Sequence, residues 1–237
     1  GVLTPRAVLD FLRFFTLYAT DKKHRKIKII ARFQQFQATN LIVDRVLLGK
    51  VKQGLIWHFQ GSGKSLLMVF TALKLRAMAE LTNPTILIVV DRIDLDTQIT
   101  GTFNASDVPG LVSTDSRAQL QTLLSQGARK IIITTIQKLS TFIAANKGHA
   151  IYDGHVVIIF DECHRSQFGD MHTAITKAFK RYNLFGFTGT PIFASNSGSG
   201  GNPQLKTTEQ AFGEKLHTYT IVDAITDKNV LPFRIDY

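Results

Sequence analysis

Five short apolar runs recur through the chain: GLIWH (54–58), TILIVVD (85–91), KIIITT (130–135), HVVIIFD (155–161) and LFGFTG (184–189). Helical stretches or loops separate them, including residues 64–80 and a segment from about Asp94. Continuous apolar strands alternating with helices imply a parallel sheet covered on both faces, because neither face carries the polar residues that water would require. The expected class is therefore α/β, a mostly parallel sheet with helices on both faces. In such sheets ligands sit at the carboxyl ends of the strands. The chemically loaded residues 63–65, 161–162 and 188–190 all fall there.

Length and charge narrow the class. The 237 residues suffice for one large domain with appendages, and 44% hydrophobic with 19% charged residues is a globular composition. No apolar run approaches the ~18 residues of a membrane span. A single cysteine, Cys163, excludes an internal disulfide and a cysteine metal quartet, and fits a reducing, cytoplasmic setting. The formal charge of +10 favours a polyanionic partner.

The start lacks an initiator Met, and its basic cluster follows the apolar stretch, the reverse of a signal peptide. Residues 4–18 read instead as an amphipathic helix opened by Thr4 and Pro5, with Val8, Leu9, Leu12, Phe15 and Leu17 on its apolar face. Lys22, Lys23, His24, Arg25, Lys26 and Lys28 then read as a basic surface turn. A second helix is expected over 33–49, ending near Gly49. SNSGSGGNP (195–203) reads as a surface loop or hinge, and the tail after it as ordered but too short for another domain.

WHFQGSGKS (57–65) fills the second half of the phosphate-loop pattern, with His58 where the first glycine would stand. A strand, this loop and a helix follow in the required order. Gly61, Ser62 and Gly63 would bring the backbone close to phosphate at a helix N-terminus, Lys64 would reach the β- and γ-phosphates, and Ser65 would ligate Mg²⁺. VVIIFDECH (156–164) places adjacent carboxylates at a strand end. Asp161 is suited to hold Mg²⁺, directly or through water, and Glu162 to orient and deprotonate an attacking water. FTGTP (187–191) ends a third run with hydroxyls, and Thr188 and Thr190 could bond the DECH loop, with His164 as a partner, and so sense the terminal phosphate.

These elements, in this order, resemble motifs I, II and III of superfamily 2 helicases and translocases. Longer stretches resemble the motor (R) subunits of type I restriction endonucleases: IWHFQGSGKSLLM, VVDRIDLDTQ (89–98), TTIQKL (134–139), FDECHRSQFGD and FGFTGTPIF. The family has Ala where Cys163 stands, and a Trp-His pair commonly precedes its loop. The resemblance spans roughly residues 3–237 and implies a RecA-like motor domain 1 over 31–237 behind a helical linker, 1–30. It implies ATP and Mg²⁺ as cofactors, duplex DNA as track, and methyltransferase and specificity subunits as partners. ATP hydrolysis would pump DNA, and a separate nuclease domain would cut it. ARFQQFQA (31–38) is similar to the family's R-x-x-Q-x-x-A element, which implies that Gln35 reads the adenine edge. Neither a nuclease constellation nor a second RecA-like domain is evident, so an excised piece of a longer chain is expected. In motors of this fold DNA contacts fall on motif Ia and the loop after the 130–135 strand, which makes Arg92, Gln98, Thr134, Thr135, Gln137 and Lys138 the candidates here, mainly for phosphates. A general superfamily 2 helicase and a nucleotide-regulated docking module are the alternatives.

Overall fold

A computed structural model describes residues 4–20, 23–90, 111–114, 116–125, 130–163, 168–192 and 207–232. Helix α1 (Pro5–Phe14) starts where Thr4 accepts a hydrogen bond from the Ala7 N–H and Pro5 fixes the first turn. It ends earlier than its apolar pattern predicts. Thr16–Thr20 forms strand β1, paired antiparallel with β2 (Lys26–Ile30). The N-terminal extension is thus a helix followed by a hairpin rather than helical throughout. Leu17 and Ala19, two residues apart, are buried, and this period-2 alternation is satisfied by a strand, not a helix. The basic segment supplies β2 as well as the turn.

Helix α2 (Phe33–Leu48) closes on Gly49 in the left-handed conformation. Strand β3 (Gln53–His58) leads into α3 (Lys64–Ala77). Then come β4 (Thr85–Val90), β5 (Leu111–Ser113), α4 (Arg117–Ser125), β6 (Ile131–Thr135) and α5 (Ile136–Ala145). Strand β7 (His155–Phe160), α6 (Phe168–Ala178), β8 (Arg181–Thr188), α7 (Thr208–Phe212), β9 (Lys215–Tyr219) and α8 (Ile221–Thr226) complete the order.

Among the described residues, seven strands form one parallel sheet in the order β5-β6-β4-β7-β8-β3-β9. Alternation along the strands divides the core. Ile86, Ile88 and Val90 face α2 and α3, whereas Leu87 and Val89 face the cluster of α4, α5 and α6. Both faces are covered, as the unbroken apolar runs require. Phe15 is fully buried in the first cluster, against Phe36 and Phe70 with ring centroids 4.9 and 5.7 Å away. The N-terminal segment therefore shares the core of the sheet. Lys74 of α3, buried, secures it further. Its ammonium pairs with Asp10 of α1, bonds Asn40 Oδ1 at 2.6 Å, and lies over the Phe14 and Phe15 rings.

Candidate active site

Strands β7, β8 and β3 are neighbours, so Asp161, Thr188 and the 59–63 loop emerge side by side at their carboxyl ends. The loop is closed by Ser62 N–H donating to Phe59 O, and Gly61 (φ 90°) and Gly63 (φ 86°) take left-handed conformations that exclude most side chains. Gly63 is the N-cap of α3, which leaves the first backbone N–H groups of that helix pointing out of its N-terminus. Lys64 and Ser65 are the first two residues of that helix.

Lys64 is buried, and its ammonium lies 3.5 Å from Glu162 Oε1 and 3.4 Å from the His58 carbonyl oxygen. The phosphate loop and the DE pair therefore meet across one intervening strand. Glu162 itself has φ 48°, a left-handed conformation unusual for a glutamate. Such strain is commonly held at functional positions. Asp161 is buried and its N–H is fixed to Val89 O at 2.9 Å. Cys163 N–H donates to Phe187 O at 3.1 Å, which ties the second motif to the third through backbone. Thr188 is buried, its hydroxyl accepts from Thr190 N–H at 3.0 Å, and Thr190 is exposed. His164 lies outside the described residues.

Gln35 joins this site from α2. Its Oε1 accepts from Arg32 N–H at 2.8 Å and its Nε2 donates to Gly63 O at 3.1 Å. A carboxamide offers two donors and two acceptor sites, so one of each is committed and one of each remains. A Cβ on Gly63 would stand 2.6 Å from Gln35 Nε2, which makes that glycine a contact requirement as well as a conformational one.

The donor types at this edge suit a nucleotide phosphate with a hard divalent cation. Ser65 and Asp161 offer only oxygen, the preference of Mg²⁺. Ser62 Oγ is buried without a hydrogen-bond partner, a cost of about 1–3 kcal/mol that an incoming polar group would relieve. Among the described residues, no three His, Cys, Asp or Glu side chains cluster to hold a metal.

The identity of the scaffold follows from comparison. Residues 34–237 match the SWI2/SNF2 ATPase family. The chain belongs to that family. As a SWI2/SNF2 ATPase domain it is similar to the type I restriction enzyme HindI endonuclease subunit of Haemophilus influenzae, 34% identical over 260 residues that include 100% of this chain and 24% of the relative. A type I restriction enzyme endonuclease subunit of Staphylococcus saprophyticus is 42% identical over 228 residues, covering 95% of this chain and 23% of the relative. The chain thus spans about a quarter of the length of these relatives. A nuclease-deletion mutant of the Type ISP restriction-modification enzyme LlaGI, solved with a DNA substrate mimic, shares the fold. Its TM-score is 0.58 at 18% identity, over 84% of this chain and 20% of that one.

Within the SWI2/SNF2 domain, His58 occupies the first glycine position of the loop. Its Nε2 lies 2.8 Å from His217 Nδ1 of β9. His58 Nδ1 is buried without a partner. A buried orphan N–H is costlier than an orphan lone pair, so the proton belongs on Nε2 and His217 accepts. Burial, then His217 and Lys64, push the His58 pKa down to about 3. His58 is therefore a neutral strut between β3 and β9, and its carbonyl holds Lys64. Sequence reading missed His217. Its only signal is the alternation of KLHTY, which marks an additional strand.

Two further positions position motifs rather than carry chemistry. Trp57 Nε1 donates to Gly189 O at 3.3 Å, linking the loop's strand to the third motif. Gly186 of β8 passes so close to Cys163 that an added Cβ would lie 2.8 Å from its sulfur. Burial first, with Asp161 and Glu162 nearby, pushes the thiol pKa up.

The candidate DNA contacts divide. Thr134 is fully buried within β6, so its hydroxyl is not presented to a duplex. Thr135 is also buried and serves as the N-cap of α5, accepting from Lys138 N–H at 3.4 Å. Gln137 is exposed, and Lys138, partly buried, has its ammonium on the Thr114 carbonyl. Arg92 and Gln98 lie outside the described residues. No helix among the described residues is long and apolar enough to cross a membrane.

Proposed function

We propose that this SWI2/SNF2 domain is the first of two motor domains in the R subunit of a type I restriction enzyme. Residues 31–237 form the motor domain, and residues 1–30 a linker segment docked upon it. The domain hydrolyses ATP with Mg²⁺ to drive duplex DNA past a complex with methyltransferase and specificity subunits, and a separate nuclease domain makes the cut. One observation carries the reading: the loop ammonium of Lys64 reaches Glu162 at 3.5 Å across the intervening strand.

Each residue then has a role. The N–H groups after Gly61 and Gly63, with the positive end of α3, receive the β- and γ-phosphates. Lys64 leaves Glu162 for the phosphate oxygens, and Glu162, released, takes a proton from the attacking water. Ser65 and Asp161 would hold Mg²⁺, which supplies charge neutralisation on the phosphates when bound. Gln35 keeps one donor and one acceptor for adenine. Cys163, Thr188 and Thr190 carry the state of that pocket into β8. Gln137, exposed in the first turn of α5, faces DNA phosphates, and Lys138 leaves the Thr114 carbonyl to join it.

Lys64→Ala in the full-length subunit tests the reading. Translocation and cleavage should be lost while assembly with the partner subunits persists. Cleavage that survives the substitution contradicts it.

A further inference from the structure

We propose that the outer face of the β1–β2 hairpin is an additional binding surface for the phosphate backbone of duplex DNA, separate from the contacts at α5. The register divides the ribbon into two faces. Leu17↔Ile29 and Ala19↔Ile27 share one, on which Leu17 and Ala19 are buried and Ile29 packs on the core. Thr16↔Ile30, Tyr18↔Lys28 and Thr20↔Lys26 share the other. That second face is open: Tyr18 and Ile30 are 62% and 55% exposed, and Lys26 and Lys28 are exposed.

Its chemistry is mainly cationic: residues 16–32 hold Lys22, Lys23, Arg25, Lys26, Lys28 and Arg32 against one acid, Asp21. Lys26 and Lys28 project from the same face of one strand, and among the described residues neither forms a salt bridge. The Lys26 and Lys28 ammonium groups, like charges on one face of a two-stranded ribbon, repel each other, and a polyanion removes that cost. Tyr18, directly across from Lys28, adds a hydroxyl donor of the kind that joins lysines at phosphates. Apart from Ile30 at the base beside Thr16, the face offers Thr, Tyr and Lys rather than the apolar centre expected of a protein interface, which favours nucleic acid over an acidic protein.

The ribbon is also wired to the nucleotide site. Ala31 N–H bonds Phe15 O at 2.9 Å at its base, and Arg32 N–H is held by the Gln35 amide that touches Gly63. DNA seated on the hairpin would bear on the element that frames the phosphate loop. This inference rests on duplex DNA being the track of the motor.

The test compares full-length wild type, Tyr18→Ala/Lys26→Gln/Lys28→Gln, and a control, Lys50→Gln/Lys147→Gln, by anisotropy of a labelled duplex across a salt series. ATP turnover with and without DNA is measured on the same proteins. The hairpin variant should bind duplex about ten-fold more weakly, and the slope of log affinity against log salt should fall by about 2, since each phosphate contact contributes about 0.9. Turnover without DNA should match wild type, because none of these residues touches the phosphate loop. Affinity and slope equal to the control overturn the proposal, as does loss of subunit assembly with DNA binding intact. Wild type that binds duplex without faster turnover contradicts the motor reading instead.

Discussion

Lys64 Nζ and Glu162 Oε1 stand 3.5 Å apart, so the loop cation is partnered by the residue proposed as catalytic base. Incoming phosphate must compete with that carboxylate. Glu162→Gln removes the competitor and the base together. ATP binding to the variant should tighten, about five-fold for a partly exposed charge pair worth about 1 kcal/mol, while turnover falls at least a hundred-fold. Titration with a fluorescent ATP analogue beside a phosphate-release assay checks both halves. Weaker binding in the variant contradicts the competition.

Gly63 tests the link from α2 to the loop. Alanine there meets both φ 86° and the Gln35 amide 2.6 Å from the new Cβ. Gly63→Ala should weaken ATP binding sharply, and adding Gln35→Ala should not restore it, because the backbone strain of about 1–2 kcal/mol remains. Full recovery in the double variant would show that only the contact matters.

The His58–His217 pair gives a pH signature. The folded His58 pKa is pushed down to about 3, against an ordinary imidazole value of 6.5. Between those values the unfolded chain takes up a proton that the fold refuses. The contribution is fully present above pH 6.5 and is lost as pH falls toward 3, by up to about 1.4 kcal/mol per pH unit. Burial lowers the His217 pKa too, in the same direction. Urea unfolding of the 237-residue chain from pH 7 to 4 should therefore flatten in His58→Gln relative to wild type. At pH 7, His217→Ala should cost about 1–3 kcal/mol, since the His58 N–H loses its acceptor.

Lys74 holds α1 against α3 through Asp10 and Asn40. Lys74→Met leaves Asp10 without its cation, but that carboxylate is 21% exposed and can rehydrate in part. The expected loss is about 2–3 kcal/mol, below the ~3–5 of a fully buried pair. Thermal unfolding of the variant measures it; an unchanged midpoint removes Lys74 as the anchor.

Much of the sheet was legible because a strand buried on both faces needs continuous apolar residues. TILIVVD and HVVIIFD matched β4 and β7 to within a residue at their ends. The edges were not: KLHTY of β9 and LVS of β5 carry mixed residues, since an edge strand is only partly covered. The hairpin was hidden for a related reason. Leu17 continues the apolar spacing of α1, and only pairing with KIKII reveals the change of period. Lys64, Glu162 and Gly63 were readable from motif order, but the Gln35–Gly63 and His58–His217 contacts join residues 28 and 159 positions apart, which only the fold brings together.

The central claim is that the nucleotide site answers to DNA. ATP turnover by the full-length protein, measured with and without duplex DNA lacking any particular sequence, tests it most directly. The motor account predicts at least a ten-fold rise on adding duplex, abolished by Lys64→Ala. Turnover that is indifferent to DNA, with Lys64 intact, contradicts it.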